Sequence, residues 1–178
     1  MKSVLISIQP KWCELIGSGE KTLEVRKTCP KLETPFKCYI YCTKDVKHRL
    51  DDGKRRIDGN VIGEFICNEV SVFLYDEHIS YPTPKYDGDP SIYDCGEGYW
   101  ITCGELEKTC LSHDELMKYG NKKDLYGWHI SALAIYDKPK PLSSFTKPYG
   151  TIVKAFDSPY IQRPPQSWCY VEELKDNG

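Results

Sequence analysis

Hydrophobic and polar positions change their period several times along the chain, and each change marks an element. Val4 to Ile8 is an apolar run that predicts a first strand. Pro10 to Ile16 shifts to helical spacing, with Trp12, Leu15 and Ile16 on one side and Pro10 suited to a first helical turn. Gly17 and Gly19 end that helix, because glycine takes a left-handed cap without a Cβ clash. Thr22 to Arg26 then alternates: Leu23 and Val25 point one way, Thr22, Glu24 and Arg26 the other. Lys21 would break this alternation inside the strand, so it belongs in the turn, free to swing toward Glu24 and Arg26.

Beyond residue 26 a proline-containing connection leads to a strand over Phe36 to Thr43. Cys38, Ile40 and Cys42 share one face, Tyr39 and Tyr41 the other, which makes the two cysteines core residues. Lys44 to Asn60 is charged and punctuated by turn signals, and reads as an exposed loop or hairpin. Val61 to Val72 is a strong strand with Gly63 as a bulge and with Glu64 and Glu69 on opposite faces. Residues 75 to 110, rich in proline and glycine, read as a long irregular excursion whose tyrosines and Trp100 cover the core or stack a base. Ser112 and Glu115 form a capping-box pattern that opens a short helix ending at Gly120. Gly127 to Tyr136 is a further strand, stopped by Pro139 and Pro141, and Leu142 to Phe145 reads as one helical turn. Tyr149 to Phe156 and Ser167 to Glu172 are the last apolar stretches. With no repeat or linker, residues 1–178 are expected to form a single domain.

Composition modifies this picture in two ways. Nine cysteines, an odd number at irregular spacing and with no apolar leader ahead of them, point to a reduced, cytoplasmic protein rather than a disulfide framework. No apolar run approaches the ~20 residues of a membrane span. Net charge is −2, yet residues 1–60 hold 13 Lys plus Arg against 8 Asp plus Glu, and the remainder is acidic. An anionic partner is therefore expected at one face only.

Candidate chemistry concentrates in that basic third. Lys21 and Arg26 flank Glu24, and two cations around a carboxylate on a rigid strand suit a polar planar or anionic ligand. The plainer alternative is a solvated strand face with an ion pair worth about 0–1 kcal/mol. Lys47, Arg49 and Arg55 are either a solvated loop or a phosphate-contacting arm. His129, beside Trp128, reads as a structural histidine before a catalytic one. Cys95, Cys103, Cys110 and His113 are spaced C-x7-C-x6-C-x2-H, a loose relative of a zinc site without a tight knuckle, and neither a metal nor a cofactor is expected.

Gly19-x-Lys21-x-x-Glu24-x-Arg26 resembles the signature of the ASCH domain family. Ile6 to Pro10, Gly127 to Pro139 and Arg163 to Tyr170 are similar to flanking blocks of its bacterial and prophage-type members. The resemblance implies an α+β fold: a small mixed-strand PUA-like β-barrel with a few short flanking helices, residues 75–110 being an insertion. It implies a nucleic-acid-related module that binds RNA, a nucleotide or a modified nucleoside through Gly19, Lys21, Glu24 and Arg26. The alternative it carries is hydrolysis of a modified nucleoside, as in N4-acetylcytidine amidohydrolases, or ribonuclease activity, with Lys21, Glu24 and Glu64 as catalytic candidates. There Lys21 matches the lysine of the amidohydrolases, Glu24 stands where they have a threonine, and the last carboxylate falls at Glu64 or Glu69.

Overall fold

The computed structural model describes residues 1–44, 58–77, 98–150 and 158–174. Within them six strands make one mixed sheet: β1 (Lys2–Ile8), β2 (Leu23–Arg26), β3 (Phe36–Cys42), β4 (Val61–Phe73), β5 (Leu125–Lys140) and β6 (Trp168–Glu172). Their spatial order is β2-β5-β4-β3-β1-β6. β1 and β3 are parallel and every other neighbouring pair is antiparallel. The expected α+β, mixed-strand architecture is present, with the sheet open between its edge strands β2 and β6.

Among the described residues three short helices accompany it: α1 (Pro10–Gly17), α2 (Cys103–Thr109) and α3 (His113–Gly120). α1 begins at its proline as expected, and it buries Cys13 and Ile16. α3 has the full Ser112/Glu115 capping box and ends on a left-handed Asn121. No helix among the described residues is long and apolar enough to cross a membrane.

The core lies in three clusters. Val4, Ile6, Ile8, Cys38, Ile40 and Cys42 meet α1 on one face of the sheet. Leu5, Tyr39 and Tyr41 pack with Phe145 and Val171 on the other. The period-two split of β3 is therefore realised, with Cys38 and Cys42 fully buried. A third cluster seats Leu23 and Val25 against Phe73, Tyr99, Leu116 and Leu125, so the apolar face of β2 is what holds the α2–α3 pair.

The ladder between β4 and β5 slips at three places, one of them between Val61 and Gly63, where the bulge was expected. A Cβ on Gly63 would lie 2.5 Å from the Ala134 carbonyl, which explains the glycine. Two expectations are corrected. The stretch 75–110 is not irregular to its end, because Thr102 and Glu105 form a second capping box that starts α2. β5 also does not stop before Pro139; it runs on to Lys140, which pairs with Val61.

Candidate functional site

The site is built from the turn that follows α1. The amide of Ser18 donates to Glu14 O at 2.9 Å and that of Gly19 to Ile16 O at 3.0 Å. Gly19 has a φ of +81°, a conformation that strains any residue with a Cβ. The chain thereby doubles back beneath its own helix, and the Lys21 amide donates to Leu15 O at 2.9 Å. Lys21 enters the interior from the turn, as the alternation argument requires.

There the charges of the motif meet. Glu24 Oε2 lies 3.3 Å from Lys21 Nζ, and Glu24 Oε1 lies 2.9 Å from Arg26 Nη2. Lys21, Glu24 and Arg26 are 2%, 6% and 8% exposed, so this is a buried triad rather than the solvated strand face of the plainer reading. Lys21 Nζ also donates to Leu23 O at 3.0 Å and to Thr109 O. An ammonium has three N–H bonds, and here three acceptors surround it. Arg26 Nη2 donates in addition to Ser7 O at 2.7 Å, while its Nε is buried without a partner among the described residues. Two cations and one carboxylate leave the triad one positive charge in excess.

Above the triad opens a cleft of about 1130 Å³ between α1, β2, α3 and the segment Pro164–Ser167. Lys27, Lys44 and Lys118 stand on its lining, and among the described residues Glu115 is the one carboxylate there besides Glu24. Trp12 from α1 and Tyr119 from α3 stand on its lining, as does Tyr41. The Trp12 ring lies 4.2 Å from Lys11 Nζ and 5.1 Å from Lys21 Nζ; Lys27 Nζ is 5.1 Å from the Tyr119 ring. Burial pushes the Tyr119 hydroxyl above its ordinary value, so it stays protonated and able to donate. Sequence reasoning did not single out Trp12, Tyr119 or Ser7 for the site. The signal for Tyr119 was its place on a capped helix next to Lys118, which carries no message until α3 is docked.

Other candidates lie elsewhere. Glu64 accepts a hydrogen bond from the Tyr136 hydroxyl and pairs with Lys37 at 3.1 Å; it does not line the cleft. Burial pushes its carboxyl up, but Tyr136 and Lys37 outweigh that and hold it below the ordinary range. Glu69 is exposed and does not line the cleft either. Lys47, Arg49, Arg55 and Cys95 lie outside the described residues. Cys103 and Cys110 are separated by the length of α2, about 10 Å at 1.5 Å per residue, too far to share one ion. Among the described residues no group of three His, Cys, Asp or Glu side chains could hold a metal.

His129 has a structural place. Its Nε2 lies 2.9 Å from Ser71 Oγ, whose hydroxyl donates to Glu105 Oε1 at 2.8 Å. Burial pushes the Glu105 carboxyl up, but the hydrogen bonds from Ser71 and Thr102 outweigh it and keep it ionised. Since Ser71 gives its only proton to Glu105, His129 must be the donor to Ser71. The chain His129–Ser71–Glu105 clips α2 to the sheet, and it leaves no base facing a free serine.

No protein-family model matches the chain, and no curated protein matches it. Solved structures do. The crystal structure of ASCH from Zymomonas mobilis is similar over 96% of this chain and 88% of its own, with a TM-score of 0.58 and 16% identity. Two single-substitution mutants of that protein align with TM-scores of 0.55 and 0.56 at 16% and 17% identity, each over at least 96% of this chain. At such identity the likeness concerns architecture, and on that ground this chain has the fold of an ASCH protein.

Proposed function

We propose that the cleft binds RNA or a nucleotide, with a phosphate drawn to the Arg26 end of the triad and a base against Trp12 or Tyr119. The observation that carries this reading is the excess positive charge buried beneath a lysine-rimmed, aromatic-walled cleft. Burying ions is costly, and apolar side chains of similar volume would commonly serve stability as well or better. The positive charge left over at the floor of a cleft, together with the unpartnered Arg26 Nε, is therefore better accounted for by an anionic ligand than by the fold's own needs. The acidic remainder of the chain restricts such a ligand to this face, and the ASCH fold is consistent with a nucleic-acid-related role.

The hydrolytic alternative has less support. Both Glu24 oxygens are committed to cations, Oε2 to Lys21 and Oε1 to Arg26, instead of being aimed at a reacting proton. Glu64 and Glu69 are not at the cleft. The test is titration of the protein with a labelled single-stranded RNA hexamer and with mononucleotides at two salt concentrations. Saturable binding that weakens with salt, and is lost by at least tenfold in Arg26→Gln, is expected. Absence of binding at millimolar mononucleotide and at micromolar hexamer would overturn the reading, and release of acetate from N4-acetylcytidine would replace it.

A further inference from the structure

The cleft wall formed by α3 reaches its place through α2, and α2 is tied to the rest of the molecule at both ends. Its first turn is held by Glu105 on Ser71. Its last two carbonyls are held by consecutive residues of the signature: Lys108 O accepts from the Thr22 amide at 3.1 Å, and Thr109 O accepts from Lys21 Nζ. Those carbonyls carry the negative end of the helix dipole, where a cation is favoured. Three residues later Ser112 caps α3, which carries Glu115, Lys118 and Tyr119 to the cleft.

Lys21 has no N–H to spare for this task and another. Leu23 O, Thr109 O and Glu24 Oε2 account for its three donors, and its side chain is 2% exposed. Arg26 differs: its guanidinium reaches Ser7 O and Glu24 through Nη2, and its Nε has no partner among the described residues.

We infer that Lys21 is a positioning residue, the pin that docks the α2–α3 wall on β2 and sets the width of the cleft, and that Arg26 is the member of the triad that meets the ligand. The first half stands on contacts within the chain; the second half rests on the binding reading above and deepens it. Losing the pin should free the wall without removing a charge that the ligand touches.

The experiment compares the full chain with Lys21→Met, which keeps length and removes the donors, and with Arg26→Gln. Amide hydrogen exchange is followed at Thr22 and Leu116, whose acceptors are Lys108 O and Ser112 O, against Ile40 in the central strand β3 as an internal reference. In Lys21→Met, exchange at Thr22 and Leu116 should accelerate at least tenfold relative to Ile40. Unchanged ratios, or equal acceleration at all three, would overturn the pin. Salt dependence of RNA hexamer binding gives the second readout. Arg26→Gln should lower the slope by about 0.7, one phosphate's worth on a single strand, while Lys21→Met weakens binding with the slope intact. A slope lowered by Lys21→Met would make it a ligand contact and overturn the assignment.

Should Lys21→Met fail to fold, the wild-type ammonium decides. Its ¹⁵N signal should be protected from exchange in the free protein and unmoved by the hexamer, and a signal absent or shifted on titration overturns the inference. If no hexamer binds while the exchange ratios change as expected, the pin stands and the binding reading falls.

Discussion

Arg26 Nη2 donates to the Ser7 carbonyl at 2.7 Å, and this contact joins the edge strand β2 to β1 where no backbone ladder does. Ser7 lies one residue beyond the part of β1 that pairs with β6, which ends at Ile6. Its own amide and hydroxyl hold Ser167 O at 2.9 Å and Pro165 O at 2.7 Å. One side chain thus spans the opening of the sheet at the spot where the cleft forms. Replacing Arg26 by Ala should remove charge-assisted hydrogen bonds worth about 1.5–3 kcal/mol each at most, less whatever water restores at the cleft. Urea unfolding of Arg26→Ala is the measurement; a midpoint equal to wild type would mean that the contact does not hold the strands.

Charge arithmetic within the triad ranks its members. Removing either cation leaves a neutral pair, whereas Glu24→Ala leaves two buried cations facing each other. Glu24→Ala should therefore be the most destabilising of the three truncations, by about 3–5 kcal/mol. Inorganic phosphate should raise its melting temperature more than that of the wild type, because an anion then replaces the lost carboxylate. Equal phosphate effects on the two proteins would show that the anion does not reach the triad.

How far this site could be read from sequence depends on which link carried it. Period-two alternation over Leu23 to Arg26 was enough to separate the apolar pair from Glu24 and Arg26 and, because Lys21 would break it, to put Lys21 in the turn. Both are local facts. What alternation could not convey is that the charged face is covered: β2 is an edge strand, but α1, α3 and the segment at Pro164 close over it. α2 was missed because Gly104 and the surrounding glycines suggested a loop, although Thr102 and Glu105 held the same capping signal that identified α3. Glu64 looked like a candidate base because a strand glutamate says nothing about its neighbours; Lys37 and Tyr136 come from β3 and β5, which the sequence does not place beside it.

The clip from Glu105 to Ser71 predicts a pH dependence. The Glu105 carboxyl is held below its ordinary value in the folded protein, so the stability it contributes is fully present above the unfolded carboxylate value of about 4.3 and is lost as pH falls through the folded one. Glu105→Gln, which cannot ionise, should show a shallower loss of melting temperature between pH 6 and pH 3 than the wild type. Parallel curves would place the acid sensitivity in other carboxylates, Glu64 first among them.

Gly120 closes α3 against Tyr99 with no room for a side chain. A Cβ there would lie 1.7 Å from the Tyr99 hydroxyl oxygen and 3.1 Å from a Leu125 methyl carbon. That hydroxyl donates to Lys123 O at 2.8 Å and is held in the cluster of Phe73, Leu116 and Leu125, so it cannot simply swing aside. Gly120→Ala should cost about 1–3 kcal/mol by overpacking. The cost should shrink when Tyr99→Phe removes the oxygen in the same chain, since two residues in contact do not act additively. Because α3 carries Tyr119 one residue earlier, Gly120→Ala should also weaken RNA hexamer binding while leaving its salt slope unchanged. Full additivity in the double-mutant cycle would mean that the strain is relieved by moving α3 instead of Tyr99, and the loss of binding should then be the larger of the two effects.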